Sequence, residues 1–275
     1  MIFENKISFS KTIWISKQGG FLSRDLPHLN KFSDSNVFKR KLIEERRFFF
    51  RWDTFINDCN EKDFWYHVIK DSPEDWFDYS SKMRNQIKKG LKLFYTKIIS
   101  KEYIIKNGYS CYLESLERYK TKPEKKFFFD QSVKSSPNDT EFYGLFDNDN
   151  KELVGFSENI IQNKGCFYSS FWLENNALNN YGTYLLVHEM NKYYLNEKKF
   201  NFVSDGSRSI LHPTKIQYLL INKFKFRKAP VKLNIVYFPG IKTFLNLLTN
   251  LYPLLKFLRI QKLNAAIIQN KYANR

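Results

Sequence analysis

The sequence predicts an α/β protein with a mixed, mainly antiparallel central sheet flanked by helices, an N-terminal extension and a C-terminal helical tail. Three observations carry the prediction. Three strand-like runs follow one another between Glu141 and Leu173, separated only by short polar turns, which is the pattern of an antiparallel meander. Capped helical stretches lie on both sides of that meander, so the sheet has helices to cover its faces. The 275 residues are 43% apolar with only 10 Gly and 8 Pro, which excludes disordered, collagen-like and linker-rich chains and is ample for a core.

Taken in order, residues 1–70 read least clearly. Ile2 to Ile15 alternates loosely and suggests two strands, whereas Lys39 to Arg51 is basic and then aromatic and has no assigned role. Ser72-Pro73-Glu74-Asp75 has the form of a helix start, with a cap hydroxyl, a proline at the first helical position and acids in the first turn; that helix is expected to end at Gly90. Leu91 to Ile99 alternates as a strand. Ser100 caps a helix over Lys101–Lys120, and a second follows Pro123, from Glu124 to Val133. The meander strands are Glu141–Phe146, Glu152–Ile161 and Cys166–Leu173, turning at Asp147-Asn148-Asp149-Asn150 and Asn163-Lys164-Gly165. A polar loop leads to a helix over Gly182–Glu197, then a short strand, Phe200–Val203, ending in Ser204-Asp205-Gly206-Ser207. A helix over Pro213–Phe224 and a strand over Val231–Tyr237 complete the series. The expected divisions are 1–72 (extension), 73–240 (central domain) and 241–275 (basic amphipathic tail).

The chain carries 45 Lys+Arg against 28 Asp+Glu, a net charge of +17, and the excess is uneven. No acid follows Asp205, while 13 of the cations do, so residues 1–205 are nearly balanced at +4. A basic C-terminal part points to an anionic partner: nucleic acid, a phosphorylated cofactor or an acidic membrane surface. In the tail, Leu245, Leu248, Leu251, Leu254, Leu255 and Leu258 are interleaved with Lys256, Arg259 and Lys262, and Pro253 breaks the run. This fits helices lying on an anionic membrane, or a helical pair docked on the protein itself. The three cysteines are far apart and odd in number, so a reducing cytosol is expected, with the tail available to the inner face of a membrane. No signal-peptide core, long apolar span or metal-ligand histidine spacing is present, and no metal is expected.

From Leu91 to Phe238 the element order resembles the GNAT N-acyltransferase superfamily. In that family a Q/R-x-x-G-x-G/A loop opens the helix after the fourth strand and holds the pyrophosphate of an acyl-coenzyme A. The corresponding stretch here is Asn179-Asn180-Tyr181-Gly182-Thr183-Tyr184; Gly182 matches the first glycine, Asn179 stands for Gln or Arg, and Tyr184 replaces the second small residue. Thr214 to Phe226 is similar to the family's later helix, with Lys225 in place of the glycine of its Gly-Phe pair; the tyrosine often used there as a general acid falls at Ile221, so that role is not carried over. Asp205-Gly206-Ser207 before this helix also resembles the FemAB-like branch, which shares the fold, usually lacks a good pyrophosphate loop and uses aminoacyl-tRNA; the basic helix with Lys82, Arg84, Lys88 and Lys89 is compatible with it. The resemblance implies transfer of an acyl group from acyl-coenzyme A, or of an aminoacyl group from tRNA, to an amine on a small molecule, sugar or cell-envelope precursor. A catalytically silent relative that binds nucleic acid or anionic lipid is the alternative.

Such chemistry needs a base to keep the attacking amine neutral and a fixed donor facing the carbonyl oxygen. The donor in the resembled fold is a backbone amide of the fourth strand, here within Phe167–Trp172, so Trp172 joins the substrate-binding candidates. Asp205, at a strand end where open sheets place ligands, is the candidate base or a turn cap. His212 could relay a proton, or cap the helix. Glu158, a charge in mid-meander, either faces solvent or serves the reaction. Ser207 and Ser209 could orient substrate or satisfy turn amides. Asn179, Tyr181, Gly182, Thr183 and Arg208 are the candidates for the phosphates of the donor, with Gly182 at a helix start allowing close approach of an anion. His188 reads as a packing or surface residue.

Overall fold

The computed structural model describes residues 6–30, 32, 35–57, 59, 62–210, 215–250 and 261–273. In chain order the elements are β1 (Lys6–Phe9), β2 (Thr12–Lys17), β3 (Gly20–Ser23), α1 (Ser35–Glu44), β4 (Phe49–Phe55), β5 (Tyr66–Lys70), a 3-10 turn (Trp76–Asp78), α2 (Ser81–Leu93), β6 (Phe94–Ile99), α3 (Lys101–Asn107), α4 (Tyr109–Arg118), α5 (Lys126–Lys134), β7 (Thr140–Asp147), β8 (Leu153–Gln162), β9 (Gly165–Leu173), α6 (Asn175–Asn179), α7 (Gly182–Asn191) with a π turn (Lys192–Glu197), β10 (Phe202–Ser207), α8 (Lys215–Lys223), β11 (Arg227–Tyr237), α9 (Ile241–Asn250) and α10 (Gln261–Ala273). They form two compact units. The first comprises Val68–Gly206 and Leu219–Arg227; the second comprises Glu4–His67, Ser207–Tyr218 and Lys228–Arg275.

In the first unit β6, β7, β8 and β9 are successive antiparallel neighbours, and β10 joins β9 in parallel. The meander therefore forms as the turn residues indicate; Asn163 and Lys164 both take positive φ, as a two-residue hairpin turn requires. Under α3, α4 and α5 lies a core of Ile104, Cys111, Tyr112, Phe129, Val133, Phe142, Phe146 and Phe156. Burying each large apolar side chain contributes roughly 1.5–3 kcal/mol before the entropic cost of ordering it. Ser100 caps α3 as expected, accepting from the Tyr103 amide at 3.2 Å, but the helix breaks at Gly108, where a Cβ would lie 2.9 Å from the Ile104 carbonyl oxygen.

The helix expected from Ser72 starts later. Ser80 is the cap, accepting from the Met83 amide at 3.3 Å, and α2 runs through Gly90 to Leu93. Gly90 fits inside the helix because α7 comes close: a Cβ there would meet Leu185 Cβ at 3.1 Å and the Tyr181 carbonyl oxygen at 3.2 Å.

In the second unit β1–β2–β3 is an antiparallel meander, β3 pairs in parallel with β4, and β4 pairs with β11 over seven residues, from Phe55↔Val231 to Phe49↔Tyr237. The basic-aromatic run of the sequence is thus the end of α1 and a sheet strand. Side chains alternate along β4: Phe50 and Trp52 enter an aromatic core with Trp14, Phe21, Phe38 and Leu42, and Arg51 and Asp53 point to the other face. The rings meet edge-on or stacked, Trp14 on Phe50 with centroids 4.8 Å apart and Phe38 on Trp52 at 5.4 Å. In the tail, α9 packs with α10, and Asn270 donates to Asn246 at 2.9 Å. Leu245 is buried, Phe244 and Leu247 are exposed, and the stretch 251–260, with Leu251, Leu254, Leu255, Leu258, Lys256 and Arg259, lies outside the described residues. No described helix is long and apolar enough to cross a membrane.

Candidate functional site

The first unit places its reactive-looking backbone where β9 and β10 part. Their parallel pairing runs Phe202↔Gly165, Val203↔Cys166 and Ser204↔Phe167, while β9 continues to Leu173 and β10 to Ser207. On the other side of β9 the register with β8 jumps from Glu158↔Ser170 to Asn159↔Tyr168. Ser169 is the extra residue of this β-bulge, and its buried hydroxyl has no hydrogen-bond partner among the described residues. A bulge turns backbone groups out of the ladder and recurs beside active sites. It falls within the Phe167–Trp172 segment from which a carbonyl-facing amide was expected.

Asp205 lies one residue beyond the last β9–β10 pair and is half-buried. Gly206 follows it at φ +81°, its amide donating to Ser204 Oγ at 3.0 Å; a Cβ there would be 2.9 Å from the Phe167 ring. The strand therefore runs through Asp205 to Ser207 rather than ending at Val203. Glu158 is only 5% exposed, so a solvent-facing position is overturned. Trp172 packs its ring on Tyr112, centroids 5.1 Å apart, against the core beneath α4 and α5, and its buried indole N–H has no hydrogen-bond partner among the described residues.

The N-terminus of α7 is the second feature of this unit. Tyr181 takes the left-handed conformation at φ +67°, and no side chain caps the helix. Gly182 is buried, and a Cβ there would lie 2.6 Å from the Ala177 carbonyl oxygen and 2.7 Å from Leu145 Cδ2, so packing alone requires glycine. Thr183 is buried, its hydroxyl without a hydrogen-bond partner among the described residues, Asn179 is exposed at the end of α6, and Lys89 lies 5.6 Å from the centre of the Tyr181 ring. Uncapped amides, a hydroxyl and a lysine suit an anion.

Beneath α7 lies a buried polar cluster that the sequence did not announce. Glu74 accepts from Tyr79 Oη, pairs with His188 Nδ1 at 2.8 Å, accepts from Asn191 Nδ2 at 3.3 Å and faces Lys70 Nζ at 3.4 Å. Lys70 is 1% exposed and its ammonium has no other partner among the described residues. Asn191 passes the network on to β9 through Tyr168 Oη at 2.8 Å, where burial pushes the phenol pKa well above its ordinary value. His188 is therefore a buried member of this network, and Glu74 is its hub rather than a first-turn helix acid. The one sequence signal was a histidine amid the apolar residues of α7.

Ser207, Arg208 and Ser209 come together in the second unit, lining a cavity of about 300 Å³ with Arg51, Trp65 and Gln269. Gln217 clamps the segment: its amide nitrogen donates to the Ser207 carbonyl at 3.1 Å and its oxygen accepts from the Ser209 amide at 3.4 Å. Arg208 pairs with Asp63 at 2.9 Å, donates to Tyr272 Oη at 3.0 Å and lies over the Tyr66 and Tyr272 rings at 5.2 and 5.1 Å. Sequence reasoning missed Arg51, which lay in the run left without a role. Desolvation lowers the Arg51 pKa from the ordinary arginine value against the opposing pull of Asp53, and the guanidinium stays charged. His212 lies outside the described residues. Among the described residues no group of three metal-ligating side chains occurs.

No protein-family model and no curated protein matches the chain in sequence. Solved structures match its fold. A crystal structure of FemX aligns with a TM-score of 0.54 at 8% identity, covering 86% of this chain and 88% of that one. The C-terminal domain of an Agrobacterium fabrum protein named for lysylphosphatidylglycerol synthetase gives 0.52 at 10% identity, over 89% and 86% of the two chains. L-PGS from Bacillus licheniformis gives 0.51 at 10% identity, over 87% and 85%. With its meander, its parallel β9–β10 pair and its helix order, the chain has a GNAT-like fold of the FemAB-like kind.

Proposed function

We propose that the protein is a transferase that forms an amide, passing an acyl or aminoacyl group from an activated donor to an amine. The observation that carries this reading is the parting of β9 and β10 beside the Ser169 bulge, with Asp205 just past the last strand pair. A backbone amide of the bulged segment faces the carbonyl oxygen as it gains charge, and Asp205 takes the proton of the attacking ammonium. Attack is direct: the amine nitrogen bonds to the acyl carbon, the bond to the donor's sulfur or oxygen breaks, and the proton leaves through the base. His212 and Glu158 are retained as proton-relay candidates, and Trp172, Ser207 and Ser209 as contacts to substrate.

The donor is acyl-coenzyme A, its phosphates taken by the uncapped start of α7 at Tyr181, Gly182 and Thr183, with Asn179 beside it, or it is aminoacyl-tRNA. The resemblance of Asp205-Gly206-Ser207 to the FemAB-like branch supports the tRNA form, and the uncapped start of α7 supports the coenzyme A form. Arg208, paired with Asp63 and stacked on Tyr66 and Tyr272, is retained as a candidate phosphate contact. The exposed Phe244 and Leu247 of α9, beside a tail without acids, support docking on an anionic membrane at the cytosolic side. Thermal shift with millimolar acetyl-coenzyme A and gel shift with aminoacyl-tRNA test the reading. A response to one donor selects it; no response to either removes the transferase reading.

A further inference from the structure

The cavity of the second unit has a charge pattern that its own residues leave incomplete. Arg51 and Arg208 line it together with Lys17, and among the described residues no Asp or Glu does. The charge of Arg208 is answered by Asp63. That of Arg51 is met only through space, by Asp53: its one hydrogen-bond partner among the described residues is neutral, Gln269 Oε1 at 2.9 Å. Asp53 stands two residues along β4 on the same face, but its oxygens are held elsewhere, Oδ1 by Trp65 Nε1 at 3.2 Å and Oδ2 by His67 Nε2 at 2.7 Å. Asp53 thus fixes the indole wall of the cavity instead of capping the guanidinium. A half-buried cation without a hydrogen-bonded counter-charge is costly, and the cost is offset when an anion completes the site.

We propose that this cavity binds a small phosphate ester, with Arg51 as its principal ligand. A guanidinium fork matches phosphate bidentately, and a phosphate keeps a further oxygen for a second donor where a carboxylate has spent both. Gln269 spends its oxygen on Arg51 and keeps its amide nitrogen as a further donor, and Ser207 and Ser209 line the same cavity. A volume of about 300 Å³ is at the lower end for ligand pockets and suits a phosphate on a small alcohol rather than a nucleotide. The site makes the acceptor of the transfer reaction a phosphate-bearing amine; only that last step rests on the transferase reading, because binding is measured without turnover.

The test is calorimetry on the full chain at fixed ionic strength, with glycerol 3-phosphate and inorganic phosphate as probes and acetate as the carboxylate control. Saturable binding of the phosphate probes is expected, with acetate at least tenfold weaker. Arg51→Gln is expected to weaken phosphate binding at least tenfold, Arg51→Lys less, and the exposed Lys125→Gln not at all. Should Arg51→Gln not fold, the wild-type readout is the Trp65 indole N–H resonance, assigned with Trp65→Phe, which phosphate should shift. Competition by phosphatidylglycerol vesicles, and not by phosphatidylcholine vesicles, assigns the ester to a lipid; its absence assigns it to a soluble ester, and the site stands in both cases. No saturable binding of either phosphate probe, binding unchanged in Arg51→Gln, or acetate binding as tightly as glycerol 3-phosphate overturns the proposal.

Discussion

Removing the Glu74 carboxylate should destabilise the first unit more than any other single polar change in it. Four donors converge on Glu74: Tyr79 Oη, His188 Nδ1 at 2.8 Å, Asn191 Nδ2 at 3.3 Å and the Lys70 ammonium at 3.4 Å. Each buried donor left unsatisfied costs about 1–3 kcal/mol, and breaking a buried ion pair from one side costs about 3–5 kcal/mol. These overlap, because relaxation serves several donors at once, so Glu74→Leu is expected to cost about 4 kcal/mol, a large part of a typical domain's roughly 5–15 kcal/mol. Replacing Lys70 as well, in Lys70→Met/Glu74→Leu, removes the uncompensated charge and should recover about half of the loss. Urea unfolding followed by circular dichroism, with the two single variants and the double variant in one cycle, measures the coupling. A cost below about 1 kcal/mol for Glu74→Leu, or no recovery in the double variant, would refute the reasoning.

Three further outcomes follow from single contacts. Gly182→Ala puts a Cβ against the Ala177 carbonyl oxygen at 2.6 Å and should lower stability by about 1–3 kcal/mol, read as a fall in melting temperature; an unchanged melt would mean that α6 yields freely. The Arg227 guanidinium on Asp71 lowers that carboxyl's pKa, so its contribution is present above the unfolded carboxyl value and is lost as pH falls through the lower folded value. Because the pair is largely exposed, Asp71→Asn should cost at most about 1 kcal/mol at neutral pH, and acid unfolding curves should show the gap to wild type closing below about pH 4. Burial pushes the thiol pKa of Cys111 and Cys166 above the ordinary range, so the folded protein should show one fast-reacting thiol, Cys59, in a thiol-reagent titration; rapid reaction of two or three would contradict the buried placement.

Local chemistry made some elements readable and long-range pairing hid others. Ser100 capped its helix because the hydroxyl and the amide that donates to it are three residues apart, and Asn163-Lys164 turned the hairpin for the same local reason. Ser72-Pro73-Glu74-Asp75 carries an equally good helix signature, yet Glu74 is held by Lys70, His188 and Asn191, and only the last two lie far enough away in sequence to defeat a local reading. The strand β4 was opaque because its partner β11 lies nearly two hundred residues downstream and because Arg51 and Asp53 interrupt its apolar pattern on one face. At the candidate site, the sequence pointed to Asp205, Ser207, Arg208 and Ser209 as neighbours along the chain. It could not show that Arg51 and Gln269, from the two ends of the chain, line the same cavity as the last three.

The central claim is direct amide formation with Asp205 as base. Incubating the protein with acetyl-coenzyme A or aminoacyl-tRNA and a panel of amines, then weighing both the small-molecule products and the intact protein by mass spectrometry, tests it most directly. The account predicts an acylated amine, no acyl adduct on the enzyme, and a rate about 10²–10⁴-fold lower in Asp205→Asn at unchanged folding. A stable acyl-enzyme, or full turnover in Asp205→Asn, would contradict it.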